Sequence, residues 1–543
     1  MDKKIARRKG IGIFLVAVFF SLYHSLPYIG VDSIEKVAIR FIVFWILFMV
    51  VLPILWKTAC IVIPKLHCTK VEKRIYHRWT DRRFFLTVWL ILIVGWLPTY
   101  LAFFPGIFGY DAPVQLEQIV GNQPYSAHHP FFHTIVLGVF LNAGKMIFGN
   151  YNGGIALFCI FQGLVVSASI AYSFIYMKRH NTPFPIAVLS LLWCLCYPIL
   201  KVLTFNITKD VLFGAVLLCF VMQCHNWIES RQKKTALQTI LFLLTGILVC
   251  LLRNQGIYVI LALFLISMFV VWKNKKFLIC LAGIMVFSQL FFVFSTSVLN
   301  VQKGDTREML SVPMQQMTVV CKAYLEGQPV NLTQEEFDKF ATLVAPEYIS
   351  NYIPDTADPI KSYFNTAMLF SDLPGYIRLY FSMGIHNPGG YMTAFRCMVE
   401  PYWDMTKNSA KDLIRENTFP MVSEQYEISQ QSCFPCYQEH LSSLLDHTPP
   451  ELKKPWQIIS WLLQPGLCIW IITALAGIAI AFKDRVVFLV TMVCMVFFGT
   501  LMLGPTALVR YLYPLMIMIP WLLALLIGKV DEGNETLNRR FRE

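Results

Sequence analysis

A chain of 543 residues has room for several soluble domains, but 56% hydrophobic residues, 15% charged residues and a mean hydropathy of +0.56 exclude an ordinary soluble protein. Collagen, disorder and a small disulfide scaffold are excluded by the same figures. The formal charge of +13 would suit a nucleic-acid partner only if the basic residues were gathered on a soluble surface.

Apolar runs of about twenty residues, the length a bilayer core requires, predict membrane helices at 11 to 29, 38 to 56, 84 to 104, 155 to 177, 184 to 203, 211 to 228, 236 to 252, 257 to 273, 277 to 299, 456 to 482, 486 to 503 and 512 to 528. The first follows a basic stretch, as a signal peptide would, but lacks a small-residue cleavage site and is read as a retained helix. A thirteenth apolar run, 131 to 147, carries Thr134, Gly138, Asn142 and Lys145 on one stripe and is read as a juxtamembrane helix. Twelve crossings then put both termini and 27 of the 46 basic residues on the cytoplasmic side, as the positive-inside rule demands. Were 131 to 147 to cross, every later basic cluster would fall outside.

Residues 300 to 455 form the one long stretch that is not apolar, and by the same parity they lie outside as a mixed, mainly helical domain. The expected organisation is an all-α polytopic membrane protein. It comprises an N-terminal hairpin and basic loop (1–83), a membrane core (84–299), the extracytoplasmic domain (300–455) and C-terminal helices with a tail (456–543). Most of the fifteen cysteines, Cys159, Cys194 and Cys250 among them, fall in apolar runs and act as small hydrophobes. The Cys433–Cys436 pair lacks a redox-fold context and suggests a structural disulfide, with Cys321 or Cys397 as partners.

Ionisable residues beside hydrocarbon are costly and tend to mark a site. Four places stand out at the predicted outer helix ends: Asp111, Glu117, His128 and His129 in the loop after the third helix; Lys209 and Asp210 before the sixth; Arg253 after the seventh; and Arg510 before the last. Singly, each has a plain structural reading. Asp111 and Asp210 suit helix N-caps, and either arginine can snorkel to the interface. Jointly, two carboxylates and several cations on one membrane face suit transfer from a lipid phosphate, with a carboxylate to orient or deprotonate the acceptor hydroxyl and guanidinium groups to hold the leaving phosphate.

The order of membrane helix, Pro105-Gly106 with Asp111 following, short helix, His128-His129-Pro130, interfacial helix and Phe148-Gly149-Asn150-Tyr151-Asn152-Gly153-Gly154 resembles the first outer loop of GT-C-type glycosyltransferases, such as protein O-mannosyltransferases and the aminoarabinose transferase of lipid A. More closely, the chain resembles a GT-C-like family of Gram-positive bacterial membrane proteins, including the segment His386 to Phe395. The resemblance implies that Asp111 is the catalytic carboxylate and Asp210 the second acid. Glu117, His128, His129, Lys209, Arg253, Arg510 and Tyr511 would contact substrate. The donor would be a polyprenyl-phosphate-linked sugar and the acceptor a cell-envelope glycan, lipid or protein. The chain departs from those families in having His-His-Pro-Phe where Lys-Pro-Pro-Leu is usual, and a single aspartate where an Asp-Glu pair often stands.

No metal is assigned: a divalent cation on His128, His129, Asp111 and Glu117 is conceivable, but no metal-ligand spacing is present. Twelve helices with both ends inside also describe transporters, lipid flippases and polysaccharide polymerases. No repeat of the two halves is found and the charges lie at helix ends, which favours an enzyme. With the basic residues placed as an orientation signal, membrane lipids are expected partners and nucleic acid is not.

Overall fold

The computed structural model describes residues 3–67, 72–230, 234–405, 420–446 and 464–540. Every regular element among them is helical, and extended backbone pairs only in isolated bridges. The first half runs α1 (Lys3–Ser25), α2 (Ile34–Val62), α3 (Asp81–Ala102), α4 (Ala112–Val120), α5 (Phe131–Phe148), α6 (Tyr151–Arg179), α7 (Phe184–Cys196), α8 (Pro198–Thr204), α9 (Lys209–Glu229), α10 (Ala236–Leu252), α11 (Gly256–Val270) and α12 (Lys275–Ser297). The insert contains α13 (Ser311–Leu325), α14 (Gln334–Ala341), α15 (Leu373–His386), α16 (Pro388–Val399) and α17 (Pro435–Asp446), with shorter turns between them. The chain closes with α18 (Leu467–Phe482), α19 (Arg485–Leu501), α20 (Val509–Met516) and α21 (Ile519–Arg540). The start of the helix expected at 456 to 482, up to residue 463, and the basic-loop residue Lys70 lie outside the described residues.

Local chemistry sets the boundaries. The side chains of Thr80, Asn150, Thr235, Asn274 and Asp484 accept backbone N–H groups that the first helical turn leaves without partners. Gly121 and Gly149 end α4 and α5 in the left-handed region, at φ of 87° and 75°.

Two runs expected as single helices are broken. The 184 to 203 run bends by 58° between α7 and α8, and the last run bends by 45° between α20 and α21. Pro198 lacks an N–H and holds Tyr197 extended, with ψ of 107°; Pro514 and Pro520 flank the second bend.

Among the described residues, seven single helices are long and apolar enough to cross a membrane, or nine spans if each bent pair counts as one. Four further apolar helices, α10, α11, α18 and α19, are shorter, at 15 to 17 residues. Large apolar side chains face outward along α2 (Ile39, Ile46, Val50), α3 (Leu90, Val94) and α12 (Ile279, Val286, Leu290). Such continuous apolar exposure suits lipid rather than water, so the chain fits a multi-pass membrane protein.

The run at 131 to 147, expected as a juxtamembrane helix, forms as α5, which is itself one of the seven helices long and apolar enough to cross a membrane, and meets α6 through glycine. A Cβ on Gly144 would sit 1.9 Å from the backbone nitrogen of Gly154, so the two backbones touch. The aromatic contacts of α5 on α6 engage Phe158 and Phe161, near the start of α6.

The insert is less independent than its sequence suggests. Its own core gathers Met314, Cys321, Phe340, Ile360 and Met383, whereas Met398, Tyr402, Trp403, Leu441 and Leu445 belong to the core of the helical bundle. Backbone bonds from Gln431 to Phe104 O and Cys433 to Leu101 O fasten the same half to the end of α3. The expected disulfide does not form: Cys321, Cys397, Cys433 and Cys436 are all free thiols, and Cys321 is buried in the insert's apolar core.

Candidate functional site

The site forms where α3, α6, α9, α10 and α20 present ends on one side of the bundle. Opposite ends carry basic side chains paired locally, Lys178 and Arg179 with Asp81 at 2.5 and 2.8 Å and Lys529 with Asp484 at 2.6 Å.

Two loops are stitched together first. Ile107 N–H donates to Phe205 O (2.9 Å) and Ile207 N–H to Ile107 O (3.0 Å). From α6, the Gln162 amide donates to both Thr204 O and Asn206 O at 2.8 Å, satisfying carbonyls that this irregular backbone leaves open. Gly106, at φ of 147°, lies so close to α6 that a Cβ would be 2.3 Å from Cys159 Sγ. Tyr110 then takes a left-handed conformation, φ 55°, costly for a side chain of its size. The result sets Asp111 beside Lys209.

Asp111 occupies the N-cap position of α4 but makes no cap bond. Its Oδ2 accepts from Lys209 Nζ at 2.5 Å, and Arg510 reaches both oxygens, Nη1 to Oδ2 and Nη2 to Oδ1, at 3.3 Å each. Asp210, fully buried in the first turn of α9, accepts from Arg253 Nη1 and lies 3.7 Å from Arg510 Nη1. Five charges thus alternate in sign along one line: Lys209, Asp111, Arg510, Asp210 and Arg253. Aromatic rings wall both guanidinium groups. Arg510 sits over Tyr110 (4.3 Å) and Tyr511 (5.0 Å), and Arg253 over Tyr511 (4.9 Å), Phe497 (5.4 Å) and Phe213 (5.8 Å).

Burial by itself would raise the Asp111 carboxyl, but Arg510, Lys209 and His129 together hold it well below the usual carboxylate range. His129 Nδ1 approaches Asp111 Oδ2 to 3.7 Å. Burial pushes that imidazole down to about 3 against the pull of Asp111. At neutral pH the ring is therefore uncharged and the approach is a polar contact, not an ion pair.

Asp111, Lys209, Asp210, Arg253, Arg510, Tyr511 and His129 therefore converge. His128 and Glu117 do not: His128 faces Glu308 of the insert at 3.7 Å, and Glu117 accepts from Asn122 at 3.1 Å, beside Tyr426. The His128 ring stays edge-on to His129, with centroids 4.6 Å apart, while its Nδ1 turns to the insert, and Glu117, six residues along a helix from Asp111, points to another face. No three His, Cys, Asp or Glu side chains among the described residues are placed to hold a metal ion. The aromatic partners Tyr110, Phe213 and Phe497 were not singled out in the sequence, nor was Tyr402, whose hydroxyl donates to Thr506 O (3.4 Å) just before α20. Only Tyr110 carried a signal, its place between Gly109 and Asp111 in a loop that has to turn sharply.

No curated protein and no solved structure matches the chain. A family profile described as a family of unknown function (DUF6020) matches residues 122–539, a span that contains Lys209, Asp210, Arg253 and Arg510 and begins eleven residues after Asp111. With well over half of its length matched, this chain belongs to that family.

Proposed function

We propose that the chain is an inverting membrane glycosyltransferase of GT-C type that moves a sugar from a polyprenyl-phosphate donor to an extracytoplasmic cell-envelope acceptor. The observation that carries the reading is the alternating line of three cations and two carboxylates, buried except for the half-buried Lys209 and drawn from four separate parts of the chain. Burying five charges is expensive and adds little stability by itself. A site that handles a charged group gives the arrangement a purpose.

In the resting arrangement Asp111 is a weak base, because Lys209 and Arg510 already occupy its oxygens. A donor phosphate competes for those same cations. As it draws them off, Asp111 recovers proton affinity and accepts the proton of the acceptor hydroxyl. The hydroxyl oxygen then bonds to the anomeric carbon as the carbon–oxygen bond to phosphate breaks. The electron pair leaves with the phosphate, where Arg253, Arg510 and Lys209 stabilise it. Asp210 keeps Arg253 and Arg510 in place.

Twelve crossings with both termini cytoplasmic complete the proposal, with α5 at the outer interface. The grouping of locally paired basic residues at the far end of the bundle supports that orientation.

The test compares envelope glycans from a strain carrying Asp111→Asn with its parent. Loss of one glycan component is expected, and unchanged glycans with the variant present at normal level would sink the reading. One observation favours a second reading. Two spans are broken, and Arg510 stands at the start of one of them, a feature shared with carriers and flippases. Proteoliposomes that translocate a lipid-linked sugar without transferring it would establish that alternative.

A further inference from the structure

The insert exposes an apolar ridge. Along α15, Leu373, Ile377, Phe381 and Ile385 recur every four residues and share one face; Phe381 is 60% and Ile385 74% exposed. The opposite face, Tyr376, Leu379 and Met383, is buried in the insert's core. Two hydrogen bonds fix that orientation, Tyr380 to Gln316 (2.7 Å) and Ser382 to Glu336 (2.6 Å). The helix is therefore apolar on both sides, and only one is covered by the described protein.

Contacts lead from this ridge to the membrane helices. Tyr391 of α16 packs against Gly384 of α15, where a Cβ would lie 2.8 Å from its ring. Two residues on, Thr393 meets Gly30 in the turn between α1 and α2, and Arg396 Nη1 donates to Pro27 O at 2.7 Å. At that same turn Val31 and Ile34 are 68% and 86% exposed. The exposed apolar surface of α2 and the ridge of α15 are thus joined by one intervening helix. Charge follows the same pattern: residues 366–399 hold one acid, Asp372, already engaged by Lys339 at 2.8 Å, although acids outnumber bases 19 to 12 across 300–455. Arg378 stands on α15 beside the ridge, and Arg396, on α16, is paired with Glu400 at 3.5 Å.

We propose that α15 is an interfacial helix whose Leu373–Ile385 ridge enters the headgroup and acyl boundary of the bilayer, holding the insert down beside the outer end of α1. An apolar helix face at the protein surface is accepted by that boundary, whereas the same face left in water invites aggregation. The proposal does not depend on the transferase reading, because it concerns only where the insert rests.

The full-length protein with a benzophenone amino acid replacing Phe381, Ile385 or Asp338 is reconstituted in phosphatidylethanolamine–phosphatidylglycerol vesicles, irradiated and analysed by mass spectrometry. Asp338 is an exposed polar position on α14 and serves as the reference. Lipid adducts at 381 and 385, with none above background at 338, are expected. Cross-links from 381 and 385 to a second copy of the chain, or equal absence of lipid adducts at all three positions, would overturn the proposal. Both ridge positions point out of the core, so the substitutions leave its packing intact; Ile377, on the same ridge, provides a further position if either substituted chain fails to accumulate.

Discussion

Asp111 and His129 lie within 3.7 Å of each other and respond to acid over different ranges. A free imidazole titrates near 6.5, whereas His129 in the fold titrates at about 3. The unfolded chain binds more protons between those values, so stability falls as pH drops through that window, by up to about 1.4 kcal/mol per pH unit. Asp111 has its folded pKa depressed below about 3.9, so its contribution is complete above that value and is lost only as pH falls further. We expect His129→Gln to flatten the decline in melting temperature between pH 6.5 and 4.5; a decline as steep as that of the parent would contradict the neutral buried imidazole. Asp111→Asn leaves Lys209 and Arg510 facing each other without their shared carboxylate, a change that costs about 3–5 kcal/mol in buried pairs. Adding Lys209→Met should recover part of the lost melting temperature without restoring the glycan product. Recovery of both would make Asp111 a structural residue.

Helices with long apolar runs were legible because hydropathy and caps act within a few residues: the 236 to 252 run matches α10 at both ends. The breaks were not read. Pro198 and Pro514 stand in the sequence, but whether a proline kinks or splits a helix depends on neighbours that satisfy the freed carbonyls. The close packing of α5 on α6 makes a prediction at this scale. Gly144→Ala pushes a methyl into the backbone of Gly154, which cannot move aside, and overpacking of that kind costs about 1–3 kcal/mol or more. Gly283→Ala in α12 meets nothing within 4 Å and should be neutral or gain up to about 1 kcal/mol from helix propensity. Thermal melts of the two purified variants in one detergent check the contrast, and equal melting temperatures would refute the tight α5–α6 contact.

For the whole molecule, the proposed orientation makes a labelling prediction. With the exposed Cys196, Cys433 and Cys436 replaced by serine, a cysteine at Gln328 in the insert should react with an impermeant maleimide on intact cells. One at Lys273, between α11 and α12, should react only after permeabilisation. The reverse pattern would invert the topology, and equal labelling of both from outside would change the number of crossings between them. The insert was expected as one folded unit over 300–455, yet part of it shares the bundle core, which ties its position to the site: Thr356 pairs with Thr506 and Ala357 N–H donates to Pro505 O, just ahead of Arg510.

The sequence by itself determined the membrane class, the places of most helices and the residue types of the ion cluster, since hydropathy and the cost of charge near hydrocarbon act locally. Only the tertiary structure decided which charges meet. Asp111 and Arg510 bond across 399 positions, and no local pattern distinguishes Arg510 from an arginine that snorkels to water. His128 and Glu117 had the same standing in the sequence as His129, but His128 turns its Nδ1 to Glu308 and Glu117 meets Asn122. The ridge of α15 is likewise set apart only by the packing of its opposite face, which shows that both sides of the helix are apolar.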